Sequence, residues 1–128
     1  MMKVVHCEQI ECAPVRMEGA VGCRIRSLIG QEDAAPTFSM RQFEIDAGGC
    51  TPKHAHRHEH EVFVLQGRGT VLEGDVQHPL QPGTVVFVPP NQLHQFCNTG
   101  ADPLKFLCLI PHPLGGMQDS CAAACGCD

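Results

Sequence analysis

The chain contains no tryptophan and no tyrosine, and its aromatic residues are six phenylalanines. Its core must therefore rest on Phe, Val, Leu, Ile, Met and Cys. Basic residues are scarce: Lys and Arg total nine against fourteen Asp and Glu, for a formal net charge of −5. Nucleic-acid binders gather Lys and Arg into a patch, and these are scattered, which argues against a nucleic-acid partner. Long apolar runs are missing too. None approaches the ~18–20 residues of a membrane-crossing helix, so no membrane partner is expected. The opening residues MMKVVHCEQIEC carry charge where a secretory leader needs an apolar stretch, so the expected location is the cytoplasm. No helical period of useful length occurs either.

What is present is a series of short apolar segments punctuated by Gly, Pro and Asp. Strands are expected over 23–29, 38–46, 52–56, 61–66, 70–73, 84–88, 94–97 and 104–110, with short helical turns near 15–19 or in the tail. Strands at this spacing predict an all-β sandwich or barrel. A length of 128 residues fits one domain. The runs at 85–88 and 106–110 are continuously apolar, so they should be buried on both faces or line an apolar cavity.

Cysteine is abundant at nine residues, but the count is odd and no leader precedes it, so thiols are expected rather than a disulfide framework. The last residues, GGMQDSCAAACGCD, read as a flexible tail. Cys121, Cys125 and Cys127 there form either a soft-metal or redox site or an oxidation-prone terminus, and their spacing matches no strong zinc pattern.

The segment TPKHAHRHEHEVFVLQG places four of the eight histidines within seven residues. Strand side chains alternate faces, so His54 and His56 share a side, and His58 and His60 keep that parity if the strand is unbroken. Same-face imidazoles converge on one ion at ~2.0–2.2 Å. His94 follows the turn Pro89-Pro90-Asn91 and opens another strand, at a rim where loops build sites.

Gly48, five residues, His54-Ala55-His56, then His60 or Glu61 before Gly67 resembles the first cupin motif. Gly83, five residues, Pro89-Pro90-Asn91, two residues, His94, three residues and Asn98 resembles the second. Asn91 stands where a Gly is usual, and Asn tolerates the left-handed conformation. The resemblance implies a double-stranded β-helix, or jelly-roll barrel, with a metal inside one mouth. It divides the chain into an N-terminal arm or edge strand at 1–14, a cupin barrel at 15–113 and the Cys-rich tail at 114–128. Small cupins of this kind pair as homodimers, and residues 3–5 offer a strand to a partner sheet.

The same resemblance, to cupins with a four-histidine site, implies His54, His56, His60 and His94 as ligands, with Glu61 as the alternative third. The cofactor is then one divalent transition metal: Mn, Fe, Ni, Cu or Zn. Expected pocket residues are Met40, Gln42, His58, Phe87, Phe96, Cys108 and Ile110, with Cys108 an inert thiol in an apolar wall. No clear general base accompanies the histidines. The function expected is a metal-dependent enzyme of oxygenase or oxidoreductase type acting on a small molecule. Isomerase and lyase chemistry stay open, and the alternative is a non-catalytic small-ligand binder or sensor.

Overall fold

Phe43, Phe96 and Phe106 stack in the middle of the protein, with ring centroids 5.2 Å apart for Phe43–Phe106 and 4.7 Å for Phe96–Phe106. They come from three strands, and the alternation of side chains along those strands explains why they meet. The computed structural model describes residues 1–112. Cys121, Cys125, Cys127 and the expected tail lie outside the described residues.

The strands are β1 (Ala13–Pro14), β2 (Val21–Ile29), β3 (Phe38–Cys50), β4 (His60–Gln66), β5 (Gly69–Glu73), β6 (Val76–Leu80), β7 (Val85–Val88), β8 (His94–Asn98) and β9 (Leu104–Pro111). They run in the order β6-β5-β8-β3-β9-β4-β7, with β2 also on β3 and β1 on β2. Every pairing is antiparallel. This is the expected all-β architecture, a curled jelly-roll barrel. Strand β3 joins its halves. Its first part pairs with β9 from Phe38↔Pro111 to Ile45↔Leu104, and its end meets β8 at Cys50↔Cys97.

Inner faces are apolar at the closed end of the barrel. Ile45, Val64, Leu104 and Phe106 are fully buried there, beside Phe43 and Phe96. Toward the other end the inner face turns polar, with Arg41, His60 and His94 each at most 2% exposed. The outer face of β2 and β3 carries ion pairs instead: Arg26 Nε to Glu44 Oε2 at 2.8 Å and Arg24 Nη2 to Asp46 Oδ1 at 2.9 Å. Gly67 closes the end of β4 at φ +88°, and a Cβ there would run into the backbone of Pro103 and Leu104.

Several expectations change. Residues 52–56 form a loop with a single bridge at His54, not a strand. The short 3-10 turns fall at Cys7–Gln9 and Gln31–Asp33, not at 15–19. Strand β6 lies outside the expected strands, and its Pro79 brings no ladder donor. It survives because β6 is an edge, where that donor has no partner to lose. Strand β7 is another edge; Val85 and Phe87 are 71% and 60% exposed, so the run at 85–88 is not buried on both faces but lines an apolar cleft, the second of the two expected arrangements. The expectation of thiols fails at one pair: the β3–β8 register sets Cys50 opposite Cys97, and the two form a disulfide. Cys7 and Cys12 are free thiols.

Candidate metal centre

The histidine loop is laced to β8 by the backbone. Thr51 N donates to Phe96 O at 2.8 Å, and Thr51 Oγ1 accepts from Phe96 N at 3.0 Å. Gln95 Nε2 donates to Thr51 O at 2.9 Å. Next, His54 and His94 exchange backbone hydrogen bonds at 3.2 and 3.0 Å. Last, Asn91 N donates to His56 O at 2.6 Å, from a residue held at φ +67°. That left-handed Asn91 is the conformation its place after two prolines anticipated. These bonds carry the two motifs into one place.

Among the described residues, ligand atoms of His54, His56 and His94 lie within 4.8 Å of one another. His54 Nε2 and His56 Nε2 are 2.8 Å apart. Two nitrogens bound at right angles to one ion at ~2.1 Å stand about 3 Å apart, so this spacing fits a shared metal. His94 Nδ1 sits 2.8 Å from Gln92 O. A carbonyl only accepts, so Nδ1 carries the proton and Nε2 is the nitrogen that can bind an ion. Such a hydrogen bond to the far nitrogen is the usual means of fixing a ligating imidazole.

His60 is 1% exposed on the inner face of β4, and its ring centroid is 4.9 Å from His94 and 5.3 Å from His56. Its Nδ1 contacts Cys108 Sγ at 3.4 Å. Contact through Nδ1 orients the ring for ligation through Nε2. His58 stacks on His56 at 5.0 Å with nearly parallel rings. Glu61 points the other way, onto the outer face opposite Phe87 and Leu109. Burial, then the hydrogen bond and charge of Glu59, push its carboxyl up to about 7.

The other expected pocket residues divide by strand parity. Phe96 lies beneath His94, 6.2 Å between centroids, and Ile110 is buried on the inner face of β9. Met40 and Gln42 are corrections. The inward residues of β3 are Arg41, Phe43 and Ile45, so Met40 and Gln42 face outward, and Gln42 Nε2 donates to Glu44 Oε2 at 3.2 Å. Cys108 is a partial correction: it is fully buried, but its wall is polar, because Arg41 Nη2 donates to its sulfur at 3.1 Å.

An open cleft of about 360 Å³ leads away from His94 between β5–β6 and β7. Val71, Leu80, Val86 and Val88 give it apolar walls, and Phe87 borders it. Glu73 and His78 line it as well, with His78 Nε2 2.8 Å from Glu73 Oε1. Both side chains are about half exposed, at 51% for His78 and 58% for Glu73. The Gly74-Asp75 turn was the available signal, since a tight hairpin there sets Glu73 and His78 on one face.

The cupin domain family model matches residues 41–110. The polyketide cyclase RemF from Streptomyces resistomycificus is similar over 93% of this chain and 82% of its own, at 31% identity and a TM-score of 0.83. A 1-methylthio-D-xylulose 5-phosphate methylsulfurylase from Rhodospirillum rubrum is 34% identical over 74 residues, 58% of this chain and 47% of that protein. A glucose-6-phosphate isomerase from Pyrococcus horikoshii is 43% identical over 68 residues, 48% of this chain and 36% of that protein. The chain thus spans less than half the length of these two curated relatives. The family match takes in both histidine motifs and every strand from most of β3 to β9, and the chain belongs to the cupin family.

Proposed function

We propose that this cupin is a metal-dependent enzyme acting on a small oxygen-bearing molecule at the barrel mouth. His54, His56, His60 and His94 hold one divalent transition ion in this reading. The observation that carries it is the approach of His54, His56 and His94 ligand atoms to within 4.8 Å, with His94 also lining an apolar cleft. Imidazole ligands are neutral, so a bound divalent ion keeps its full charge and supplies Lewis-acid chemistry toward an oxygen donor.

The chain's own groups divide the remaining work. Val71, Leu80, Val86 and Val88 take up carbon skeleton and exclude water. His78, oriented by Glu73, is positioned to move a proton at its ring nitrogen along the cleft. An acid–base pair beside a Lewis acid suits isomerisation, ring closure or elimination. The relatives named as an isomerase and a cyclase support that class ahead of oxygenase chemistry.

The test is turnover by metal-loaded protein over a panel of hydroxy-carbonyl compounds, with and without dioxygen. Turnover in both atmospheres, abolished by removing the ion, is expected. Turnover only with dioxygen would replace this reading by an oxygenase, and tight binding without turnover would replace it by a carrier or sensor.

A further inference from the structure

Arg41 lies on the inner face of β3 opposite Cys108 and is 2% exposed. Its Nη2 donates to Cys108 Sγ, and its guanidinium carbon is 5.3 Å from the centroid of the Phe43 ring. Nε and Nη1 have no hydrogen-bond partner among the described residues. A guanidinium removed from water is costly unless a carboxylate or phosphate meets it. The chain supplies carboxylates on its outer face, where Arg24 and Arg26 each hold one. Among the described residues it gives Arg41 a sulfur and an aromatic face and no carboxylate hydrogen bond.

Beside Arg41 is a cavity of about 330 Å³, bordered also by Ile10, Glu11, Ile25, Ser27 and Glu32. Ser27 pairs directly with Arg41 across β2 and β3, so its hydroxyl shares the inner face. Glu11 and Glu32 are exposed and form a negative rim. Such a rim repels a densely charged ligand such as a nucleotide and tolerates a small, singly charged one. The buried guanidinium makes this part of the interior cationic, and a ligand must bring the anion.

We infer that Arg41 anchors a small oxyanion, a carboxylate or a phosphate, in this cavity, with Cys108 between its guanidinium and His60. That group is the recognition handle of the substrate; this last step rests on the proposed metal chemistry, whereas the anion site itself does not. The planar fork of Arg41 suits a carboxylate or phosphate held by two parallel hydrogen bonds. The negative rim favours the carboxylate.

Acetate and inorganic phosphate, titrated calorimetrically into wild type, Arg41→Lys and Arg41→Met, test this, with metal content and thermal midpoint measured on each sample. Wild type should bind acetate, and its midpoint should rise with acetate concentration. Arg41→Met should weaken binding more than tenfold with unchanged metal content, and should melt no lower than wild type without the anion, because it removes an uncompensated charge. Arg41→Lys should fall between. Tighter phosphate than acetate would name phosphate as the source. Absence of binding to wild type, equal binding by Arg41→Met, or unfolding of Arg41→Met would overturn the inference. Arg41-dependent binding in protein that takes up no metal would instead overturn the metal reading and leave the anion site standing.

Discussion

His54 and His94 face each other across a two-bond backbone bridge, with ring centroids 5.7 Å apart. One belongs to the loop after β3, the other to the first position of β8. The bridge converts two histidine motifs, distant along the chain, into one cluster. It also ties the cluster to the Cys50–Cys97 disulfide and the Thr51–Phe96 bonds just below it, so the cluster stands on ordered backbone.

The proposed ligand set makes a sharp prediction at adjacent residues. His60→Ala should weaken metal binding by more than the ~10–100-fold that loss of an outer hydrogen-bond partner costs. Glu61→Ala should leave it unchanged, since that side chain faces outward. Metal analysis of the two purified variants checks this, and the opposite pattern would make Glu61 the ligand.

Phe106 is fully buried between Phe43 and Phe96, so Phe106→Ala should cost ~3–5 kcal/mol of stability. Urea unfolding measures it. A loss below about 1 kcal/mol would mean the site collapses around the smaller residue.

Stability should fall in acid through Glu44. Burial raises its carboxyl, but the hydrogen bond and charge of Arg26, with Lys105 and Gln42, outweigh burial and hold it below the ordinary value of 4.5. A folded value below the unfolded one stabilises fully above pH ~4.5 and is lost as pH falls through the folded value. Glu44→Gln should therefore flatten the loss of stability below that pH in unfolding titrations. An unchanged slope would show that the Arg26 pair contributes nothing.

The disulfide encloses a long loop, Cys50 to Cys97, with a sequence separation of 47. Loop-closure entropy puts its contribution at about 4 kcal/mol. Reduction, or Cys97→Ala, should lower the unfolding midpoint accordingly. Thiol counting on native protein should leave Cys50 and Cys97 unmodified.

The sequence made the barrel legible because short strands alternate with turn residues that permit little else. It made the four central histidines legible because their spacing repeats a known pair of motifs. It was least informative on β3, where Arg41, Gln42, Phe43, Glu44 and Ile45 are all buried. Both faces of that strand are covered: the inner by the core, the outer by Arg26, which also binds the carbonyls of Cys7 and Ile10. With no wet face, polarity does not report parity, and a buried arginine looks like the outward residue. Counting back from Phe43 by two would have placed Arg41 inside. Glu73 and His78 meet only through the β5–β6 hairpin, and β6, which carries His78, lies outside the expected strands.

Residues 3–5, expected to pair a homodimer, form no strand, and Lys3 binds Asp33 and Leu28 O; for the homodimer we propose instead the outer face of β4 and β7. Phe63, Leu65, Val85 and Phe87 are between 42% and 71% exposed there, with Phe63 paired to Val85. A second copy would cover this patch by two-fold symmetry. Phe63→Asp should then sediment as a monomer while wild type sediments as a dimer; a monomeric wild type would remove the proposal.

The central claim is that imidazoles from two parts of the chain share one cation inside the barrel. Elemental analysis of protein purified without added metal, wild type beside His94→Ala, tests it most directly. The account predicts about one transition-metal ion per wild-type chain and essentially none in a folded His94→Ala variant. An ion retained by that variant, or a wild-type protein that refuses Mn, Fe, Ni, Cu and Zn alike, would contradict it.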